Sequence, residues 1–294
     1  FSLDPCRYKA SENQIRASAK AESNKNRKNT ETVISVREAW FRYEKDSKDI
    51  LCGMNFDVHA GELTCIVGGN GAGKTTALMT AAGVFSPYRG KVKYRGKPIS
   101  TFRKDKGSAG KIGVLVQNPL CCFVMDSVAE ELEATAKAYK LPRSGIEEVI
   151  DIMQLQSVLG SNPYDISGGE LQRAAIAKLL LPKPEVIFLD EATKGMDAFF
   201  KAEFGALLRR LAARGTAIVL VSHDIEFCAE FADRCAMFFN GTVIAEGTPH
   251  EVFLGNSFYT TSACRISRGI IPDALTSEQV IDYANRCERK KNDD

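Results

Sequence analysis

Short uninterrupted apolar runs alternate along this chain with longer stretches that have helical spacing. Residues 63–67, 186–189 and 217–221 are continuous apolar runs, which is typical of parallel strands buried on both faces. Between the last two runs, residues 199–213 have the spacing of a helix, and Gly215 follows as a stop signal. This order of strand, helix and strand predicts an α/β fold with right-handed crossovers between parallel strands.

Two additions to that sheet are expected. Before the first buried run, apolar and polar residues alternate as in antiparallel strands, which we place at residues 33–36, 39–43 and 51–58. After it, further short strands are expected at residues 90–94 and 112–116. A helical insert is expected over about residues 118–170, with helices at 126–141 and 144–160, and Ser167 opens the next helix.

The chain divides into three parts by composition. Residues 1–31 are polar, and we expect a flexible tail or linker. Within residues 1–30, seven Lys and Arg against three Asp and Glu give about +4, so the remainder carries about −2 of the total +2. Residues 32–255 are expected to form the main domain, and residues 256–294 a C-terminal helical extension. Because the chain begins with Phe1 and not Met, we interpret it as a piece of a longer polypeptide.

Bulk composition excludes several classes of protein. A net charge of +2 is close to balanced, so we expect no nucleic-acid partner. The nine cysteines form no C-x-x-C pair, which favours reduced thiols in a cytosolic protein. Because no stretch approaches the roughly 18 apolar residues of a membrane span, any action at a membrane is expected to require a partner.

The most specific chemistry lies directly after the first buried run. Residues 68–76 read Gly-Gly-Asn-Gly-Ala-Gly-Lys-Thr-Thr, a G-x-x-x-x-G-K-T pattern that leaves a strand and opens a helix. Such a loop turns backbone N–H groups towards phosphates, and the helix adds the positive end of its dipole. An ordinary glycine turn is the alternative, which Lys and Thr in register disfavour. The residues expected to hold a nucleoside triphosphate are Gly68, Gly69, Asn70, Gly71, Ala72, Gly73, Lys74, Thr75 and Thr76.

Three further side chains follow the other buried runs. Asp190 and Glu191 end one run, at the carboxyl edge of the sheet where such folds bind ligands. Asp190 and Thr75 are expected to hold Mg²⁺, and Glu191 to polarise an attacking water. His223 ends the next run, where it can contact a γ-phosphate. Solvated acids and a structural histidine are the alternatives, and the phosphate loop upstream disfavours both.

A second anion seat is expected some ninety residues downstream. Ser167, Gly168 and Gly169 precede a helix, so a serine cap, open backbone N–H groups and a helix dipole coincide there. Two seats in one domain are unusual for a simple NTPase. We therefore expect the second seat to serve a nucleotide that another subunit holds.

Taken together, these motifs resemble the ATP-binding-cassette (ABC) ATPases over roughly residues 32–255. The phosphate loop resembles Walker A, residues 166–173 the family signature, residues 186–191 Walker B with its catalytic glutamate, and residues 195–197 the D-loop. The resemblance implies a P-loop (RecA-like) core with an antiparallel β subdomain and a helical signature subdomain. It also implies ATP and Mg²⁺ as ligands, with Lys74, Glu191 and His223 as the catalytic residues.

Two more site residues come from the resemblance alone. Gln117 resembles the Q-loop glutamine, which binds Mg²⁺ and couples the γ-phosphate to a transmembrane partner. Tyr43 lies where the family places an aromatic residue that stacks on adenine. Three positions depart from the family pattern: Ile166 for Leu, Glu170 for Gln and Ala192 for Pro. We expect the charge of Glu170 to weaken the second anion seat.

Looser motifs at residues 117–119, 190–197 and 222–234 resemble the energy-coupling-factor (ECF) importer ATPases, and residues 246–253 and 255–261 resemble the second cassette of tandem members. That implies a second ABC cassette as partner, in a homodimer or a fused tandem. It further implies a transmembrane coupling protein and a substrate-binding membrane subunit, at the cytoplasmic face of the membrane. Residues 120–125, an apolar run, are the expected docking patch, unless they pack beneath the insert.

Three alternatives remain open at this stage. The chain is otherwise a soluble non-transport ABC ATPase, a regulatory cassette that does not hydrolyse ATP, or a cassette of a different ABC importer class. A short insert without heptads disfavours the first, and the presence of Glu191 and His223 disfavours the second. The sequence does not name the transported substrate, for which a vitamin or a transition metal is expected.

Overall fold

A computed structural model describes residues 31–254, 259–267, 270–271 and 274–292. The strands are β1 (Thr32–Phe41), β2 (Leu51–His59), β3 (Leu63–Gly68), β4 (Arg89–Tyr94), β5 (Lys97–Pro98), β6 (Ile112–Leu115), β7 (Val186–Asp190), β8 (Ala217–Val221), β9 (Arg234–Phe239) and β10 (Thr242–Gly247). The helices are α1 (Lys74–Ala81), α2 (Ile99–Lys104), α3 (Val128–Tyr139), α4 (Arg143–Met153), α5 (Gly168–Leu180), α6 (Ala198–Ala213), α7 (Ile225–Phe231), α8 (Pro249–Phe253), α9 (Ser262–Ser267) and α10 (Ser277–Asn292).

A six-stranded sheet in the order β10-β9-β3-β8-β7-β6 forms the centre of the fold. All neighbours pair in parallel except β10, which is antiparallel to β9 at the edge. Every residue of β3, β7 and β8 is buried, which explains their uninterrupted apolar sequences. The structure therefore confirms the α/β class.

The two faces of this sheet are covered by different parts of the chain. Cys65 and Val67 of β3 belong to the core shared with the helical insert and α6. Ile66, between them, belongs to the core shared with α1 and the second sheet. Successive residues of a strand point to opposite faces, so one apolar strand serves both cores. The phosphate-loop strand thereby lies in the middle of the molecule.

The second sheet is antiparallel, with four strands in the order β2-β1-β4-β5. We expected two strands at residues 33–36 and 39–43, and the structure has one, β1. Its register with β2 shifts between Val36 and Ala39, where Glu38 has a φ of 49°. An extra residue at such a bulge interrupts the alternation of side chains, so one strand looks like two in the sequence.

The helical insert consists of α3, α4 and the start of α5. The second of these helices is shorter than expected, because it ends at Met153 and not near residue 160. Gln154 adopts a left-handed conformation with a φ of 52° and closes the helix, and a separate 3₁₀ turn follows at Gln156–Val158. The insert shares a continuous apolar core with one face of the central sheet.

The ends of the chain are only partly described. The expected linker at residues 1–31 lies almost wholly outside the described residues, and α9 and α10 lie within the C-terminal part, 256–294. Among the helices of the described residues, none combines the length and the apolar character that crossing a membrane requires.

A matched pair of glycines tests the packing of the helices. A Cβ on Gly205, in α6, would lie 2.6 Å from ring carbons of the buried Phe231, whereas a Cβ on Gly145, in α4, would meet only Leu181 Cδ1 at 3.7 Å. We expect Gly205→Ala to lower the free energy of unfolding by about 1–3 kcal/mol through overpacking. Gly145→Ala should raise it by about 0.5–1 kcal/mol, since alanine favours helices. Urea unfolding followed by circular dichroism measures both, and effects of the same sign would contradict this packing.

Candidate functional site

The phosphate loop joins the end of β3 to the start of α1. Gly73 is the residue before the helix, with a φ of 98°, and a Cβ there would lie 2.9 Å from the backbone oxygen of Ile50. Only glycine fits this combination of left-handed backbone and close approach. The helix then begins at Lys74, so its free N–H groups face the loop.

Lys74 lies inside this loop. Its Nζ donates to the backbone oxygens of Gly68 and Gly69, each at 2.9 Å. Burial lowers the pKa of Lys74, while the nearby charges of Glu191 and Asp190 act in the opposite direction. A cation that is shielded from water interacts strongly with any polyphosphate that enters the loop.

Asp190 lies beside the first turn of α1. Its Oδ2 accepts a hydrogen bond of 2.8 Å from the hydroxyl of Thr75, and its Oδ1 is buried without a partner. Asp190 is 1% exposed, and this burial raises its pKa, although the bond from Thr75 lowers it. An unpaired carboxylate oxygen next to a hydroxyl is a donor set that Mg²⁺ prefers. The residues present therefore fit this ion.

Glu191 brings two of the predicted side chains together. Gln117 Nε2 donates to its Oε2 at 3.0 Å, and His223 Nε2 lies 3.2 Å from its Oε1. Its backbone has a φ of 53°, and its N–H donates to Val221 on the neighbouring strand at 2.9 Å. A left-handed glutamate is a strained residue of the kind that concentrates at functional sites. Gln117 and His223 thus flank one carboxylate directly after β7.

The second anion seat lies at the start of α5. The side chains of Ser167 and Glu170 form a capping box, in which Glu170 Oε2 accepts from the Ser167 hydroxyl at 2.6 Å and from its N–H at 2.9 Å. These bonds lower the pKa of Glu170. Ser167 and Gly168 are exposed. The charge expected to disfavour an anion therefore contacts the serine hydroxyl itself, and that bond must open before the hydroxyl can bind phosphate.

Gly169 connects this seat to the expected D-loop. A Cβ on Gly169 would lie 3.4 Å from the backbone oxygen of Gly195, so the two segments are neighbours within one chain. Asp197 caps α6 by accepting from the N–H of Phe200 at 2.8 Å. The turn before α5 and the expected D-loop, residues 195–197, are therefore adjacent within one chain.

Tyr43 lies beyond the end of β1. Its hydroxyl is 3.0 Å from the Thr76 hydroxyl, which ties it to the first turn of α1. Its ring makes edge contacts with Phe41 and Phe85, at centroid distances of 5.2 and 5.7 Å. Tyr43 is nevertheless 60% exposed, so ring surface is available to stack on an aromatic base.

Sequence reasoning missed two residues that contact the phosphate loop. The N–H of Gly241, in the turn between β9 and β10, donates to Ala72 at 3.0 Å, and its backbone oxygen accepts from Cys52 at 3.0 Å. The hydroxyl of Tyr259 lies 3.3 Å from the position of a Cβ on Gly69. Asn240-Gly241 predicts a turn, but no local pattern indicates which loop that turn supports.

Comparison with known proteins agrees with this geometry. A family model described as "ABC transporter" matches residues 51–194. The chain is 33% identical to the energy-coupling factor transporter ATP-binding protein EcfA of Methanocaldococcus jannaschii, over 75% of this chain and 81% of the relative. The structure of cbiO1 from Clostridium perfringens, part of the ABC transporter complex cbiONQ, covers 82% of this chain and 96% of its own, with 29% identity and a TM-score of 0.69.

Other relatives are longer than this chain. A putative ABC transporter ATP-binding protein of Bacillus cereus is 39% identical over 86% of this chain, but the match spans 46% of the relative. A relative in Bacillus thuringiensis, 40% identical over 85% of this chain, is also matched over 46% of its length. The chain thus spans about half the length of these relatives.

Asp190→Asn tests whether the buried charge of this carboxylate lowers the stability of the folded chain. Because burial raises the pKa of Asp190, ionisation of this carboxyl disfavours the folded state. The protonated carboxyl therefore favours folding at low pH, and the wild type loses this contribution to its stability as the pH rises above about 4. The asparagine oxygen can still accept from Thr75. Without nucleotide and Mg²⁺, we expect the stability of the variant relative to the wild type to increase as the pH rises from 4 to 8, because only the wild type ionises a buried carboxyl at this position. Thermal unfolding between pH 4 and 8 measures this, and a stability difference that does not change with pH would contradict it.

Proposed function

This chain belongs to the ABC transporter family of ATP-binding proteins, and we propose that it hydrolyses ATP to drive an ECF-type importer of a micronutrient. The observation that carries the proposal is the placement of Glu191, with Gln117 on one side and His223 on the other, next to a phosphate loop. A carboxylate oriented by two polar side chains is suited to act as a general base towards a water molecule.

Each residue of the site has a role in this proposal. The backbone N–H groups of the phosphate loop and Lys74 bind the phosphates of ATP, and Tyr43 stacks on adenine. Thr75 and Asp190 hold Mg²⁺, which neutralises phosphate charge when bound. Gln117 donates through its amide nitrogen to Glu191, so its carbonyl oxygen is the atom suited to the metal.

His223 is the second partner of Glu191. It is 43% exposed at its side chain and follows β8, the strand between β3 and β7. From there it holds Glu191 in place and contacts the γ-phosphate. Hydrolysis therefore requires both neighbours of Glu191, whereas ATP binding depends on the phosphate loop.

A second cassette completes each nucleotide site in this proposal. Ser167 and Gly168 are exposed at the start of α5, so a nucleotide of another cassette can reach them once the bond from the Ser167 hydroxyl to Glu170 opens. Two cassettes then close on two ATP molecules. The partner is a second copy or a cassette fused in the same polypeptide, and the length of the Bacillus relatives supports the fused arrangement.

A membrane subunit is the other partner that we propose. We call residues 120–125 the docking segment. Phe123 within it is buried, whereas Val124 is 82% and Met125 42% exposed. Exposed apolar side chains that follow Gln117 in the chain suit a short helix of a transmembrane coupling subunit. In this proposal the cassette works at the cytoplasmic face of the membrane. This class of complex is supported by the relatives: EcfA is an energy-coupling factor transporter ATP-binding protein, and cbiO1 is part of the ABC transporter complex cbiONQ.

Two substitutions separate ATP binding from hydrolysis. Glu191→Gln should bind ATP as the wild type does, with a rate of hydrolysis lower by about 10²–10⁴-fold because the base is removed. Lys74→Ala should abolish ATP binding, since the phosphate loop loses its charge. Fluorescent ATP titration and phosphate release measure both effects. Hydrolysis that survives Lys74→Ala, or Glu191→Gln at the wild-type rate, would reject the assignment.

The docking segment is tested by a charge at its most exposed position. Val124→Asp should not change the stability of the cassette by more than about 0.5 kcal/mol, since the side chain faces solvent. It should reduce binding to membrane vesicles of the source organism by at least about tenfold, because burying a charge in an apolar interface is energetically unfavourable. Sedimentation with the vesicles measures this.

Ile244→Asp, at a position on β10 that is 56% exposed, is the matched control and should bind like the wild type. Equal binding of all three proteins would exclude the docking segment as the interface. A wild type that hydrolyses ATP but does not bind the vesicles would favour the alternative of a non-transport ABC ATPase.

A further inference from the structure

A buried ion pair lies outside the nucleotide site, within the helical insert. Glu131 on α3 is 1% exposed, and its Oε2 accepts from Lys178 Nζ on α5 at 2.5 Å. The side chain of Lys178 is 24% exposed, so the pair lies at the inner side of the insert. A carboxylate this far from solvent needs partners for both of its oxygens.

The remaining bonds of this pair all go to the docking segment. Glu131 Oε1 accepts from the backbone N–H of Val124 and, at 2.6 Å, from that of Met125. Lys178 Nζ also donates to the backbone oxygen of Cys122. Burial alone would raise the pKa of Glu131, but the hydrogen bonds from Lys178 and from the Val124 and Met125 amides outweigh it and lower the pKa. The pair thus holds the backbone of the segment at three residues, Cys122, Val124 and Met125.

The docking segment is in turn continuous with Gln117. The Asn118 side chain accepts from the N–H of Leu120 at 3.2 Å and caps a 3₁₀ turn at Pro119–Cys122. Within that turn, Cys121 donates to Asn118 at 3.2 Å, and Phe123 donates to Leu120 at 3.1 Å. A hydrogen-bonded turn therefore links Asn118, which follows Gln117 in the chain, to the docking segment that the ion pair holds.

The ion pair is also continuous with the second anion seat. Lys178 belongs to α5, the helix that begins at Gly168 after the cap of Ser167. Ten residues separate Gly168 from Lys178, and a helix of that length spans about 15 Å without bending freely. The first turn of α5 therefore carries the proposed seat for another cassette's nucleotide, and its last turn contacts the docking segment through Lys178.

We propose that Glu131 and Lys178 are positioning residues that join the docking segment and the signature helix α5 into one rigid body. When nucleotide displaces Gln117 or Ser167, the docking segment then moves together with α5. The movement is not lost in a flexible loop between them. This inference rests on the proposed function in so far as the docking segment meets a membrane subunit. It adds the two side chains that transmit the movement.

Hydrogen exchange on the full chain tests this role, with and without Mg²⁺ and a non-hydrolysable ATP analogue. In the wild type, the amides of Val124 and Met125 should exchange slowly, and the analogue should change exchange in the peptide that covers residues 117–125. Glu131→Gln should speed exchange at these two amides by roughly 10- to 100-fold, since charged hydrogen bonds are lost. In this variant the analogue should no longer change exchange beyond Cys122, while the affinity for the analogue stays within about twofold of the wild-type value.

Glu133→Gln is the matched control, because Glu133 is exposed on the same helix. It should leave both readings at the wild-type value. Lys178→Met should reproduce Glu131→Gln, and Lys178→Arg, which keeps the charge, should retain most of the protection. The Lys178 variants also keep the test valid if Glu131→Gln does not fold. The double variant Glu131→Gln/Lys178→Met should be no worse than either change alone.

A pair that only stabilises the insert would give a different result. Exchange would then rise uniformly over α3 and α5, and the analogue would still change exchange at Val124 and Met125; this outcome would overturn the proposal. Unchanged exchange at these amides in Glu131→Gln would also overturn it. Failure of the Lys74 and Glu191 experiment would reject ATP hydrolysis but would leave this measurement readable, because it needs nucleotide binding and no turnover.

Discussion

The arrangement of three parallel strands around a buried carboxylate is the constraint on which the site depends. Strands β3, β8 and β7 are neighbours, so residues at or just beyond their carboxyl ends lie at one edge of the sheet: Lys74 and Thr75, His223, and Asp190. Asp190 is almost fully buried there with one oxygen unpaired, an arrangement that costs about 1–3 kcal/mol. Two apolar cores, one on each face of the sheet, supply the stability that offsets this cost.

Two buried acidic residues, Asp190 and Glu131, have opposite environments. The difference indicates a ligand-binding role for Asp190 and a structural role for Glu131. Asp190 has an unpaired oxygen and a raised pKa, as expected of a group whose missing partner is a ligand. Glu131 has bonds to both oxygens and a lowered pKa, as expected of a group whose partners belong to the protein. The first acid is suited to bind a cation, and the second to hold backbone in place.

The helical insert connects sites that are far apart in the chain. It begins after Gln117, which contacts Glu191, and it reaches the start of α5, which Ser167 caps. Glu131, within the insert, and Lys178, further along α5, fix the docking segment against that helix. Packed elements with few alternative arrangements shift as units, so the insert is suited to transmit a change at the nucleotide to a surface that a partner contacts.

The sequence by itself determined the α/β class and indicated the phosphate loop, because apolar runs and glycine spacing are local patterns that need no partner to interpret. It misplaced the bounds of two elements: β1 is one bulged strand because its pairing with β2 sets its register, and α4 ends at Met153 because Gln154 adopts a left-handed conformation. Only the tertiary structure showed that Gly241 supports Ala72 and that Glu131 holds Met125. An acidic residue on a helix usually faces solvent, and its burial depends on which elements pack around it, which one-dimensional spacing does not encode.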